Sequence, residues 1–140
     1  MTRYYLAGPM SGLPQFNLPL FDAAAAELRA AGHEIVSPAE LDNETVRAAC
    51  LRAFDGKSTP ETNGGGTWGD FLSRDVKIVS DEVDGIVLLP GWFKSRGARL
   101  EVFVGLLTGK RFAEWAPFHS QRMVPVETDH IRTILRSSLP

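Results

Sequence analysis

The chemistry available to this sequence is concentrated in two carboxylates, Glu101 and Asp75, and in two glycine-bearing segments, Gly8 to Gly12 and Pro90 to Gly97. Glu101 falls in the first turns of a helix-like stretch, on a face shared with Ala98, Val104 and Gly105. That face lies beside the apolar stripe, which turns the carboxylate toward a cleft and not toward bulk water. A glutamate in a first helical turn can also serve only the helix dipole. Asp75 follows Arg74 and sits between the apolar Leu72 and Val76, where it reads either as a functional acid or as a salt-bridged helix carboxylate. The two glycine segments each follow a strand-like run, and backbone amides at such places attract anions such as phosphate. Trp68 and Trp92 lie on either side of the expected cleft, where an indole can stack on a base or simply fill core.

Other chemistries lack their residues. His33, His119 and His130 are isolated, without metal-site spacing, and no metal or organic cofactor is implied. No P-loop, G-x-S-x-G elbow or complete G-x-G-x-x-G fingerprint occurs. Cys50, the lone cysteine, has no disulfide partner and reads as a small buried hydrophobe.

The elements that must position these residues follow from periodicity. Tyr4 to Ala7 is a short apolar strand, and residues 17–31 are an amphipathic helix with Asn17 as N-cap, Pro19 in the first turn and Gly32 at its end. His33 to Val36 is a second strand, so strand, helix and strand form a βαβ unit with parallel strands. Residues 43–54 suit a helix, and about 55–66 a long mobile loop insertion containing Gly64-Gly65-Gly66, of the kind that forms lids or binding elements. Thr67 caps a helix running to about Val79, with Leu72, Val76 and Val79 on one face. Gly85 to Leu89 is an uninterrupted apolar run, as a central parallel strand requires. A helix over 98–108, a strand over 111–114, irregular chain over 115–122 and a helix over 127–137 complete the reading. The expected fold is one α/β domain over 1–140, a three-layer sandwich with a mostly parallel, Rossmann or flavodoxin-like sheet. Ligands of such sheets sit outside the carboxyl ends of the strands, where the strand order reverses.

Composition bounds the partners. An apolar fraction of 44% and a charged fraction of 23% are those of a soluble globular chain, which argues against a membrane protein. A net charge of −2 without a Lys/Arg run argues against a polymeric nucleic acid as partner. The N-terminus enters strand-like sequence without a signal-peptide core, which suggests a cytoplasmic protein.

Two segments carry a family likeness. Tyr5-Leu6-Ala7-Gly8-Pro9-Met10 resembles the N-terminal "Y-L-A-G-P" strand and loop of the nucleoside 2-deoxyribosyltransferases and the related deoxynucleoside 5'-monophosphate N-glycosidases. Ser95-Arg96-Gly97-Ala98-Arg99-Leu100-Glu101 resembles their segment ending in a nucleophilic glutamate, which falls on Glu101. Trp68, Arg74-Asp75, Asp84 through Trp92, Ser95, Gly97-Ala98 and Glu101 together resemble a group of small, mostly phage and bacterial, proteins of the DUF4406 type within that superfamily. The stretch 42–66 departs from the pattern by being longer and richer in glycine.

The resemblance implies a retaining reaction on a small-molecule nucleoside or nucleotide. Glu101 would attack the anomeric carbon, releasing the base and leaving a covalent glycosyl-enzyme for water or another base. Asp75 would hold or protonate the departing base, and Tyr5 would orient Glu101. Gly8, Pro9, Met10 and Trp92 would line the substrate site, and Ser95 with the amides of Gly97 and Ala98 would bind the 5' end of the sugar. Serine at position 95, where members acting on free nucleosides often carry aspartate, implies a 5'-monophosphate. A homo-oligomer is implied as well. The alternatives are a module that binds a nucleotide or nucleotide-derived signal without turnover, and an accessory structural protein. Two carboxylates in the cleft favour the enzyme, because a pure binder of an anion gains nothing from them.

Overall fold

The computed structural model describes residues 2–138, so the expected ends of the domain at 1 and 140 lie outside the described residues. Five strands form one sheet: β1 (Arg3–Ala7), β2 (Glu34–Val36), β3 (Gly85–Leu88), β4 (Arg111–Trp115) and β5 (Met123–Val126), in the order β2-β1-β3-β4-β5. The first four are parallel, and β5 runs antiparallel to β4. Among the described residues the α-helices are α1 (Leu18–Ala30), α2 (Glu44–Arg52), α3 (Pro60–Asn63), α4 (Trp68–Asp81), α5 (Arg96–Leu107) and α6 (Thr128–Ser138).

Alternation along β1 sorts the helices into layers. Leu6 points to the face covered by Phe21, Ala25 and Leu28 of α1, with Val46 and Cys50 of α2 at its edge. Tyr5 and Ala7 point to the opposite face, covered by Val79 of α4, Ala98 and Val102 of α5, and Ile131 and Leu135 of α6. The expected three-layer α/β sandwich is therefore present. Its chain leaves β1 through α1 to β2 on one side and then crosses to β3 on the other, so the strand order reverses between β1 and β3. The loops after those two strands part there and open a crevice above their carboxyl ends.

Two glycines bring the elements close enough. A Cβ on Gly8 would lie 2.8 Å from Leu89 Cβ, so only glycine lets the two loops run side by side. A Cβ on Gly105 would lie 2.6 Å from Ile86 Cδ1, and its absence lets α5 settle on β3 with Glu101 one turn earlier on the same buried face.

Several local expectations change. Asn17 precedes α1 as predicted but makes no side-chain cap; its Nδ2 donates to the Pro9 carbonyl at 2.9 Å. Gln15, Phe16 and Asn17 all adopt left-handed backbone, with φ of 57°, 53° and 60°. Each such residue costs on the order of 1 kcal/mol, a cost carried by the bonds that lock the turn, including Gln15 N–H to Ala53 O at 2.8 Å. The 55–66 stretch is not one open loop. It holds α3, started by a Thr59/Thr62 capping box, and Gly56 O accepts from Gly12 N at 2.9 Å, which ties it to the loop after β1. Leu72 and Val76 are only half-buried, while Ile78 joins Val79 in the core. Strand β5, in a stretch to which the sequence assigns no element, carries Pro125 opposite Ala113, which an edge strand tolerates because its outer amides need no partner. Among the described residues no helix is long and apolar enough to cross a membrane.

Candidate active site

The crevice is a cleft of about 540 Å³, within the range of small-molecule sites. Its floor is built by β1 and α5. Ser95 caps α5 by accepting the Ala98 amide at 3.2 Å, which fixes the first turn and sets Glu101 one and a half turns further on, facing the sheet. Glu101 is only 6% exposed, and the fully buried Tyr5 of β1 donates its hydroxyl to Glu101 Oε2 at 2.5 Å. From α4, Asp75 lines the same cleft, near enough for its charge to act on both Glu101 and Tyr5. Arg74 Nε donates to Asp75 Oδ1 at 2.9 Å, and Arg74 NH1 to Asp42 Oδ1 at 3.0 Å.

Electrostatics follow from burial. Loss of water, and then the charge of Asp75, hold the Glu101 carboxyl well above the ordinary glutamate range, while the Tyr5 hydroxyl and Arg74 pull the other way. Burial also raises Asp75, against the opposing pull of Arg74. Burial, and then Glu101, keep the Tyr5 phenol well above its usual value, so it remains a donor. Two neighbouring carboxyls in one buried place titrate as a unit, and here the deeper burial of Glu101 and the Arg74 guanidinium beside Asp75 favour the proton on Glu101 and the charge on Asp75. The site can therefore supply a buried carboxylate, one exchangeable proton and a fixed hydroxyl donor.

The cleft brings together most of the residues singled out in the sequence. Gly8, Met10, Asp75, Ser95, Gly97, Ala98 and Glu101 line it, and Tyr5 stands directly behind Glu101. Pro9 packs at the edge, with Cγ 3.6 Å from the Cβ position of Gly91, and is not in the lining. Trp92 is 4% exposed, in the core against Ile86-side residues and edge-on to Phe93, so it offers no ring face to the cleft. Trp68, 53% exposed at the rim with the Arg96 guanidinium 5.0 Å from its ring, occupies the place an aromatic platform would need.

Other lining residues went unnoticed in the sequence. Phe16 enters through the left-handed turn before α1, and Asp42, Ser58, Thr62 and Asn63 make the 42–66 stretch a wall of the cleft. Lys94 and Arg96 place positive charge beside Ser95 and the α5 N-terminus. The Arg74-Asp75 dipeptide was a visible signal, but nothing near Asp42 marks it. Among the described residues no cluster of His, Cys, Asp or Glu has the makings of a metal site.

The chain belongs to the family described as Domain of unknown function (DUF4406), whose model matches residues 2–113, from β1 into β4. No curated protein and no solved structure matches it. All the cleft residues named above lie inside the matched span.

Proposed function

We propose that this DUF4406 chain cleaves the N-glycosidic bond of a nucleoside or deoxynucleoside 5'-monophosphate through a covalent glycosyl-enzyme on Glu101, as hydrolase or base-exchanging transferase. One observation carries the reading: a carboxyl 6% exposed at the floor of the cleft is held by a tyrosine hydroxyl, with a second carboxyl, Asp75, lining the same cleft. That combination costs stability and is of use to a reaction needing a nucleophile and an acid in one dry place. The likeness of the 5–10 and 95–101 segments to the nucleoside 2-deoxyribosyltransferases points the same way.

The reaction balances with these groups. The proton passes from Glu101 to Asp75 and on to the departing base, which also takes the electron pair of the breaking bond between C1' and nitrogen. Ionised Glu101 then bonds to C1', whose oxocarbenium-like transition state it stabilises. Water, or a second base, attacks C1', gives its proton to Asp75 and frees Glu101. In retaining glycosidases about 5–5.5 Å separates the two carboxyls. A sugar bound between Glu101 and Asp75 needs the same spacing.

The anionic end belongs at Ser95. The α5 N-terminus, with Lys94 and Arg96 beside it, suits a phosphate. Ser95→Asp keeps the N-cap but puts a carboxylate where the phosphate would rest. Its kcat/KM for a monophosphate should fall about 100-fold, with less than about a threefold change for the free nucleoside. Equal losses on both substrates would remove the phosphate assignment.

Self-association is also proposed. Helix α5 buries Ala98, Val102 and Gly105 on one face yet turns Leu100, Phe103 and Leu107 outward, at 37, 50 and 71% exposure. A helix apolar on both faces suits one that is covered on both. Light scattering should give a mass of at least two chains, reduced to one by Phe103→Glu. A monomeric wild type contradicts this.

The test of function is incubation of wild type and Glu101→Ala with nucleosides, deoxynucleosides and their 5'-monophosphates, with free base followed by chromatography. Base released by wild type alone supports the reading and names the substrate. Tight binding of one compound without release from any would replace it with a nucleotide-binding role.

A further inference from the structure

Arg74 divides its guanidinium between two acids. Nε meets Asp75 at 2.9 Å and NH1 meets Asp42 at 3.0 Å, and Asp42 comes from the bend before α2, 32 residues away in sequence. We propose that Asp42 is a positioning residue: it grips one edge of the Arg74 guanidinium so that the other edge is presented to Asp75, and so couples the 42–66 wall to the reaction centre.

The geometry supports this in two ways. Held by Asp42 through NH1, the planar guanidinium gives Asp75 only its Nε, whereas released from Asp42 it is free to turn two donors onto Asp75. Asp42 also offsets part of the positive charge that Arg74 brings to Asp75. With Arg74 undiluted, the carboxyl pair would release its proton more readily, and an acid that must reach the base still protonated would be spent early.

The groups facing this cluster come from four directions. Tyr5 approaches from β1, Glu101 from α5 and Arg74 from α4 itself. On the α2 side stand Asp42 and Cys50, whose thiol is raised by burial and then by the charge of Asp42. Arg47 on α2 is occupied by Asp22 at 2.5 Å and by the Ala39 carbonyl at 2.7 Å. Lys94 and Arg96 stand at the mouth, the latter over Trp68.

The test is a carboxyl ¹³C NMR titration of the ligand-free protein, with the paired signals identified by their loss in Glu101→Gln. In Asp42→Asn the midpoint of the pair should move to lower pH by about one pH unit, and Asp42→Glu should restore it. Glu34→Gln, which removes an equal charge from the pair with Arg3 on β1 and β2, should leave the midpoint in place. An unmoved or raised midpoint in Asp42→Asn, or an equal shift in Glu34→Gln, overturns the proposal.

The kinetic consequence rests on the glycosidase reading, but the titration does not. Base release on the alkaline side of the pH profile should fall about tenfold in Asp42→Asn. If no substrate is cleaved while the midpoint moves as stated, the glycosidase reading fails and the role of Asp42 stands. An active enzyme whose midpoint ignores Asp42→Asn gives the reverse.

Discussion

On the proposed mechanism, Glu101→Gln is expected to lower kcat for base release about 10⁴-fold or more, because it deletes the nucleophile while keeping the shape of the side chain. The amide oxygen can still accept from Tyr5, so the hydrogen bond at 2.5 Å has a replacement and the fold has no reason to loosen. Stability should move the other way. Burial raises the Glu101 carboxyl above its unfolded value, so the native state binds the proton more tightly than the unfolded chain. That contribution is full below the ordinary glutamate range and is lost as pH rises through the raised native value. At neutral pH the wild-type carboxyl therefore weighs against the fold, and Gln does not. Thermal denaturation should show Glu101→Gln with the higher Tm at neutral pH, the difference closing below about pH 4. A variant that loses activity and Tm together would mark Glu101 as a structural acid.

Asp75→Asn should cost about 10² to 10⁴-fold in kcat for substrates with natural bases, the range of a general acid. The size should depend on the leaving group. A 4-nitrophenyl deoxyriboside departs as a stable phenolate and needs no proton, so its cleavage should fall by less than about tenfold. The variant also leaves Glu101 without the neighbour whose charge helps to hold its proton. Its acid limb should consequently move to lower pH. Equal losses on both substrates would make Asp75 a scaffold for Glu101 and Arg74 and nothing more.

The readable parts of this fold were those where one kind of burial dominates. Gly85 to Leu89 and Tyr4 to Ala7 are apolar without interruption because both faces of a central parallel strand are covered, and they stand out accordingly. The α5 helix and its carboxylate were visible from the spacing of Ala98, Glu101 and Gly105, all buried. Strand β5 was not, because Pro125 and the exposed Val124 beside it erase its pattern, and its only warrant is the ladder with β4. Short α3 was hidden in glycine and threonine, since its start depends on a capping box and not on an apolar stripe.

The site divides in the same way. Glu101 and Asp75 could be picked out because a carboxylate beside an apolar stripe is costly and therefore conspicuous. The Tyr5 to Glu101 bond was available only through resemblance, since nothing in periodicity joins residues 96 apart. Asp42 carries no local sign at all, and its meaning arises only when the fold sets it against Arg74. Trp92 and Trp68 look alike in sequence; the loop after β3 turns one into the core and the start of α4 leaves the other at the rim.

Covalent attachment to Glu101 is the central claim, and trapping it is the most direct measurement. A 2'-fluoro nucleoside or nucleoside 5'-monophosphate slows breakdown of a glycosyl-enzyme by destabilising the oxocarbenium-like transition state. Wild type should gain the mass of the fluorinated sugar, with its phosphate where present, on the peptide containing Glu101, with one equivalent of base released. Base release without an adduct, or an adduct on any other residue, would contradict the account.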